Sequence, residues 1–256
     1  MLAKITILSS LLFAVIYPLS FWLSANDPLK NNFHRFHLGL PNCVGALAVA
    51  SLFMEFPSAL KIISLLWIFL SLGISYYYWE KDHPNAIVVT IPSILGLIIF
   101  LQLQKVLIGP GPAQSLSWIL GGLIFSSSLF AMNLGHWYLN VHGLPIAHLK
   151  RAAVCLVVFL AARLLWDVLF IAGGQVLHLG DQIPLWQFIL KPDGILLVVA
   201  ILFGTLFPLC AMFFVFGTLK LKNTQATTGI LYVILSSILL GDIAYKYYSL
   251  KFGIPL

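Results

Sequence analysis

Charge is what this chain has least of. Asp, Glu, Lys and Arg make up 9% of its 256 residues, where a soluble domain carries about 25%. So few charges cannot clothe a water-facing surface of this size. The solvent that remains for a chain 61% hydrophobic is lipid. Blocks of like charge are missing too. The net charge of +6 is spread over short loops, which excludes a nucleic-acid surface. Cysteines number three, Cys43, Cys155 and Cys210, each inside an apolar run, with no CxxC or CxxCH. That removes a disulfide framework and covalent c-type haem attachment, and leaves small buried hydrophobes. There is no Walker A motif, GxSxG, HExxH or Rossmann fingerprint, so soluble-style catalysis has no support. Linkers, low-complexity tracts and internal repeats are absent as well.

What is present is a series of long apolar runs. They cover about 5–23, 40–57, 60–79, 86–103, 116–138, 150–177, 194–219 and 226–248. About 20 apolar residues in a helix cross a hydrocarbon core of roughly 30 Å. Only helices and closed barrels satisfy every backbone group in lipid, and the alternating strands of a barrel are missing. The expected fold is all-α: a polytopic integral membrane bundle of about eight transmembrane helices, with residues 1–256 as one domain. The first run has a rival reading as a cleaved secretory signal, since Lys4 precedes it and Ser24-Ala25 follow. Its 19 residues exceed the h-region of about 7–15 that such a signal carries. The loop GPGPAQ at 109–114 is a turn by chemistry. Only loops 24–39 and 178–193 are long, and each has room for a short interfacial helix.

Eight crossings put both termini on one face. Six of the seven histidines, His34, His37, His83, His136, His142 and His148, then fall on the opposite face, and only His178 does not. Lysines and arginines divide almost evenly between the faces, so the positive-inside rule leaves orientation undetermined.

Two groups of residues carry candidate chemistry. The first is the histidine rim. His34 and His37 are three apart and share a helix face. His136 ends the fifth run, and His142 and His148 follow in the loop after it. Imidazole is a common ligand of haem iron, copper and zinc, so these five residues are the expected site of haem b or a transition metal. The competing reading is an amphipathic belt beside Phe33, Phe36, Trp137 and Tyr138.

The second group is ionisable and lies inside the membrane. Arg163 is thirteen residues beyond Lys150, or about 20 Å along a helix. Asp167 follows at i+4. A mid-membrane Arg or Asp costs about 2.5–3.5 kcal/mol on insertion scales. The pair leaves guanidinium donors over, so a third partner is expected from Glu55, Asn133, Gln102 or Asp242. A quinone headgroup site or a proton path through Arg163, Asp167, Asn133, Glu55 and Asp242 is the functional reading. A packing ion pair is the bland one. Asp242 and Lys246 read as interfacial, with Lys246 reaching for the surface and Tyr245, Tyr247 and Tyr248 as a belt. Glu55 reads the same way. Pro208 removes one helix hydrogen bond and frees the carbonyl of Gly204, a possible hinge. Gly121-Gly122 and Ala46/Ala50 have helix-packing spacing.

The expected function is electron transfer in a bacterial inner membrane, by a multi-pass protein surrounded by lipid and working beside other membrane subunits. Small-solute or ion transport is the alternative, and a non-catalytic assembly subunit is the third.

Overall fold

A computed structural model describes all residues except 26–28, 30, 31, 54–56, 110 and 142, and the side chain of Leu52. Glu55 and His142 therefore lie outside the described residues. Of the described residues, 83% are helical. Among the described residues, seven helical segments are long and apolar enough to cross a membrane: Leu2–Ser24, Ser58–Tyr78, Ala86–Leu107, Pro112–Asn140, Ala147–Gly173, Pro192–Lys220 and Thr224–Phe252. The protein is a multi-pass helical membrane protein. The run expected over 40–57 lies in a helix of twenty residues, Phe33–Leu52. Its first half carries His34, Arg35, His37 and Asn42, which keeps it out of the seven.

The outward surface shows which solvent these helices expect. Phe69, Leu66, Ile62, Ile87, Leu165 and Phe214 are exposed, and Phe213 is 79% exposed. Apolar patches on this scale are not found on monomers in water.

The helices gather into two compact units, 2–111 and 112–256. In the first unit, α1 (Leu2–Ile16) tightens into a 3-10 helix over Tyr17–Ser24 with Pro18 in its first turn. Helix α2 (Phe33–Leu52) and α4 (Ala86–Leu107) pack on α1, and α3 (Ser58–Tyr78) packs on α2 and α4. Asn85 caps α4 by accepting from the Ile87 N–H at 2.9 Å. The Trp67 indole fits between Gly45 and Gly96, where a Cβ would collide with it, and donates to the Pro92 carbonyl at 2.9 Å.

In the second unit, α5 (Pro112–Asn140) packs between α6 (Ala147–Gly173) and α10 (Thr224–Phe252). The remaining membrane segment has three parts. Helix α8 (Ile195–Ile201) leads into a π-helical turn at Leu202–Leu206, and α9 (Phe207–Lys220) follows. In the wide turn the Phe207 N–H reaches the Leu202 carbonyl, five residues back. Pro208, one residue on, has no N–H to offer Gly204. The break expected at 204–208 is thus taken up as a π turn.

The connection after α6 differs from expectation. The sixth run was expected to remain helical to 177, but α6 stops at Gly173. Strands β1 (Gln175–His178) and β2 (Asp181–Pro184) form an antiparallel hairpin that leads into the short helix α7 (Leu185–Ile189). Its two-residue turn has φ of 56° at Leu179 and 95° at Gly180. Positive φ at both central residues is the signature of a type I′ hairpin turn. Tyr248 donates to the Asp193 carbonyl at 2.5 Å, and Trp166 to the Pro255 carbonyl at 2.6 Å. The hairpin region, the chain end and the start of α5 therefore share one end of this unit.

Candidate functional site

Helix α6 places Arg163 and Asp167 one turn apart on its inward face. They are 2% and 1% exposed, so neither reaches the surface. Nε of Arg163 stands 3.0 Å from Oδ1 of Asp167, a charge contact without the angle of a hydrogen bond. The other partners come from three further elements. From α5, the Ser117 hydroxyl and carbonyl accept from Arg163 Nη1 at 3.1 and 3.3 Å. From the π turn, the Thr205 hydroxyl donates to Asp167 Oδ2 at 3.1 Å. From α10, the Tyr245 hydroxyl donates to the same oxygen at 2.5 Å. The guanidinium lies 3.7 Å from the centre of the Tyr245 ring, a cation–π contact strengthened by the dry surroundings. Gly204 and Gly241 permit this meeting: a Cβ on Gly241 would strike the Gly204 backbone.

Beside the pair, a small cavity has room for about one water molecule. Arg163, Tyr245 and Asp242 line it, with Gly121 and Gly204 on its walls. A side chain on Gly121 would collide with Asp242 Oδ1. Asp242 pairs with Lys246 at 2.5 Å, and the ammonium lies 5.2 Å from the Trp118 ring centre. Lys246 is 4% exposed. This corrects the interfacial reading: the lysine folds back onto α5 rather than reaching for the surface. Tyr245 likewise belongs to the buried network and not to a belt.

The third partner of Arg163 is also corrected. It is Ser117, with the Tyr245 ring, and neither Asn133 nor Asp242 bonds to it. Asn133 is half-buried on α5, Gln102 is exposed on α4, and Asp242 contributes to the cavity. Ser117, Thr205 and Tyr245 escaped the sequence reading, because hydroxyls are common in membrane helices. Ser117 lies about 7.5 Å from the start of α5, and Tyr245 about 10 Å from the end of α10, while Arg163 and Thr205 stand near the middle of Ala147–Gly173 and Pro192–Lys220.

The histidines divide between the units. In 2–111, His37 shares a 2.6 Å hydrogen bond through Nδ1 with the Tyr17 hydroxyl and stacks on Phe33 at 3.8 Å. His34 Nε2 donates to the Tyr78 carbonyl at 2.9 Å. In 112–256, His136 is exposed near the end of α5. His148 is buried in the first turn of α6, not in the preceding loop, and its Nδ1 accepts from Arg151 at 3.1 Å. Among the described residues, no three His, Cys, Asp or Glu side chains gather as a metal-binding group.

No protein family, curated protein or solved structure matches this chain.

Proposed function

We propose that the 112–256 unit receives the carbonyl oxygen of a quinone at Arg163, in a multi-pass electron-transfer protein of a bacterial inner membrane. One atom carries the reading. Arg163 Nη2 is buried and has no hydrogen-bond partner among the described residues. A bare donor of this kind costs several kcal/mol in lipid. The side chain lines the cavity, so a ligand acceptor is the natural remedy. The charges indicate a neutral acceptor. Arg163 and Lys246 are offset by Asp167 and Asp242, so no net positive charge remains to draw an anion. A quinone offers carbonyl acceptors on an apolar body that already partitions into the bilayer. The cavity is narrow, and the π turn at Gly204 is the wall with least backbone regularity to lose on widening. Other membrane subunits would supply the electron donor. Haem b or a metal held by the rim histidines together is not needed for this site, and among the described residues no three of them gather.

The test is extraction of the protein in native-lipid nanodiscs, followed by mass spectrometry of bound lipids. Wild type is expected to retain quinone at near one per chain. Arg163→Lys keeps the charge but loses the planar fork, and should retain less than about a tenth of it. Equal quinone in both proteins overturns the reading.

A second reading, small-solute or ion transport, is favoured by the π turn, whose Thr205 bonds the ion pair at Asp167. It predicts that Asp167→Asn abolishes uptake into proteoliposomes, and unchanged uptake would end it.

A further inference from the structure

A different residue, in the 2–111 unit, has an atom whose chemistry the network above leaves unused. His34 is 1% exposed, and its Nδ1 has no hydrogen-bond partner among the described residues. The other ring nitrogen fixes the tautomer. Nε2 faces the Tyr78 carbonyl at 2.9 Å and must carry the proton, since a carbonyl only accepts. Nδ1 is therefore a bare lone pair. Metal-bound histidines are oriented in this way, with one nitrogen donating to a carbonyl and the other left for the ion.

His34 lines a cleft together with Phe21, Ser24, Phe33, His83 and Pro84 among others, with room for about one water molecule. Two donors nearby are committed elsewhere among the described residues. The Ser24 hydroxyl donates to the Phe21 carbonyl at 3.3 Å. Arg35 donates through Nε to the Trp79 carbonyl at 2.7 Å and lies 3.5 Å from the Glu80 carboxylate. Glu80 thus offsets part of the repulsion Arg35 would exert on a cation. His83, on the exposed turn between α3 and α4, brings a second imidazole to the same cleft. His37 does not line the cleft.

We infer that this cleft is a transition-metal site, in which one divalent first-row ion is held between His34 Nδ1 and the His83 ring, with water completing its coordination. Imidazole pairs suit copper, nickel and zinc, and copper binds most tightly of these. This inference is independent of the Arg163 site.

The experiment uses tag-free full-length protein in detergent, stripped with chelator and titrated with Cu2+. Equilibrium dialysis gives the affinity, and electron paramagnetic resonance counts the ligating nitrogens. One equivalent with two imidazole nitrogens is expected. His83→Ala, at an exposed position that the fold does not need, should weaken binding about ten- to a hundredfold. His34→Gln should do the same, while the melting temperature of the metal-free protein shows whether it has folded. Binding unchanged in His83→Ala, binding that follows His136→Ala or His178→Ala instead, or no stoichiometric binding at all overturns the inference.

Discussion

The cost of breaking the Arg163–Asp167 pair from both sides should fall well short of the two one-sided costs added together. Asp167→Asn keeps the shape and leaves an oxygen for Tyr245 and Thr205, but strands a guanidinium that is 2% exposed. Arg163→Met strands the carboxylate instead. Removing one member of a buried ion pair costs about 3–5 kcal/mol. A neutral hydrogen bond inside a membrane protein averages only about 0.6 kcal/mol, so the loss must come from the uncompensated charge. The double variant Arg163→Met/Asp167→Asn leaves no charge behind. Its loss should fall at least about 2 kcal/mol short of the sum of the single losses, within the range seen for residues in one network. The assay is equilibrium unfolding in mixed micelles of rising dodecyl sulfate content, followed by far-ultraviolet circular dichroism. Single losses below about 1 kcal/mol that add to within about 0.5 kcal/mol would mean that water reaches the pair, and would refute the reasoning.

Three further expectations use the same unfolding assay or a pH series. Tyr245→Phe keeps the ring under the guanidinium but removes the donor to Asp167, and should cost about 1.5–3 kcal/mol as a hydrogen bond to a charged group; a change under about 0.5 kcal/mol would contradict the 2.5 Å contact. Gly241→Ala should destabilise, because its Cβ meets the Gly204 backbone, whereas Gly229→Ala on the same helix meets nothing within 4 Å and should be neutral or stabilising by up to about 1 kcal/mol; the opposite order would contradict the close packing of the π turn on α10. His34 is held below its ordinary range by burial, so the unfolded chain binds this proton more readily than the folded one. Stability is then present above about pH 6.5 and falls as pH drops below it, by at most about 1.4 kcal/mol per pH unit for this group. In metal-free protein, the slope of wild type minus that of His34→Gln isolates the effect, and identical slopes would contradict it.

The membrane segments were legible because lipid demands uninterrupted apolar length, and few other constraints leave so plain a trace. Arg163 and Asp167 were legible for the converse reason, as charges where the solvent tolerates none. Their partners were not. Ser117, Thr205 and Tyr245 look like any hydroxyls in an apolar run, and only the three-dimensional crossing of α5, α6, the π turn and α10 singles them out. Lys246 was misread because its position near a helix end suggests reaching for the surface. Trp118 and Asp242 instead offer it a ring and a countercharge within the bundle. The hairpin at 175–184 was missed because its turn is Leu179-Gly180, and a leucine with positive φ gives no turn signal. The break at Pro208 was visible in the sequence. Its form as a π turn depends on which carbonyl the Phe207 N–H finds.

The most direct test of the central claim, that the Arg163–Asp167 pair is enclosed by helices lying in lipid, is the immersion depth of its immediate neighbour. Leu165 sits between the two and points outward, 61% exposed, while Leu179 in the hairpin turn is 91% exposed. A nitroxide is attached at Leu165→Cys or at Leu179→Cys, with the native cysteines replaced, and power saturation is measured in liposomes. At Leu165 oxygen should relax the label strongly and a water-soluble nickel chelate hardly at all, with the reverse balance at Leu179. A label at Leu165 that the nickel chelate reaches as readily as it reaches Leu179 would place the pair beside water and contradict the account.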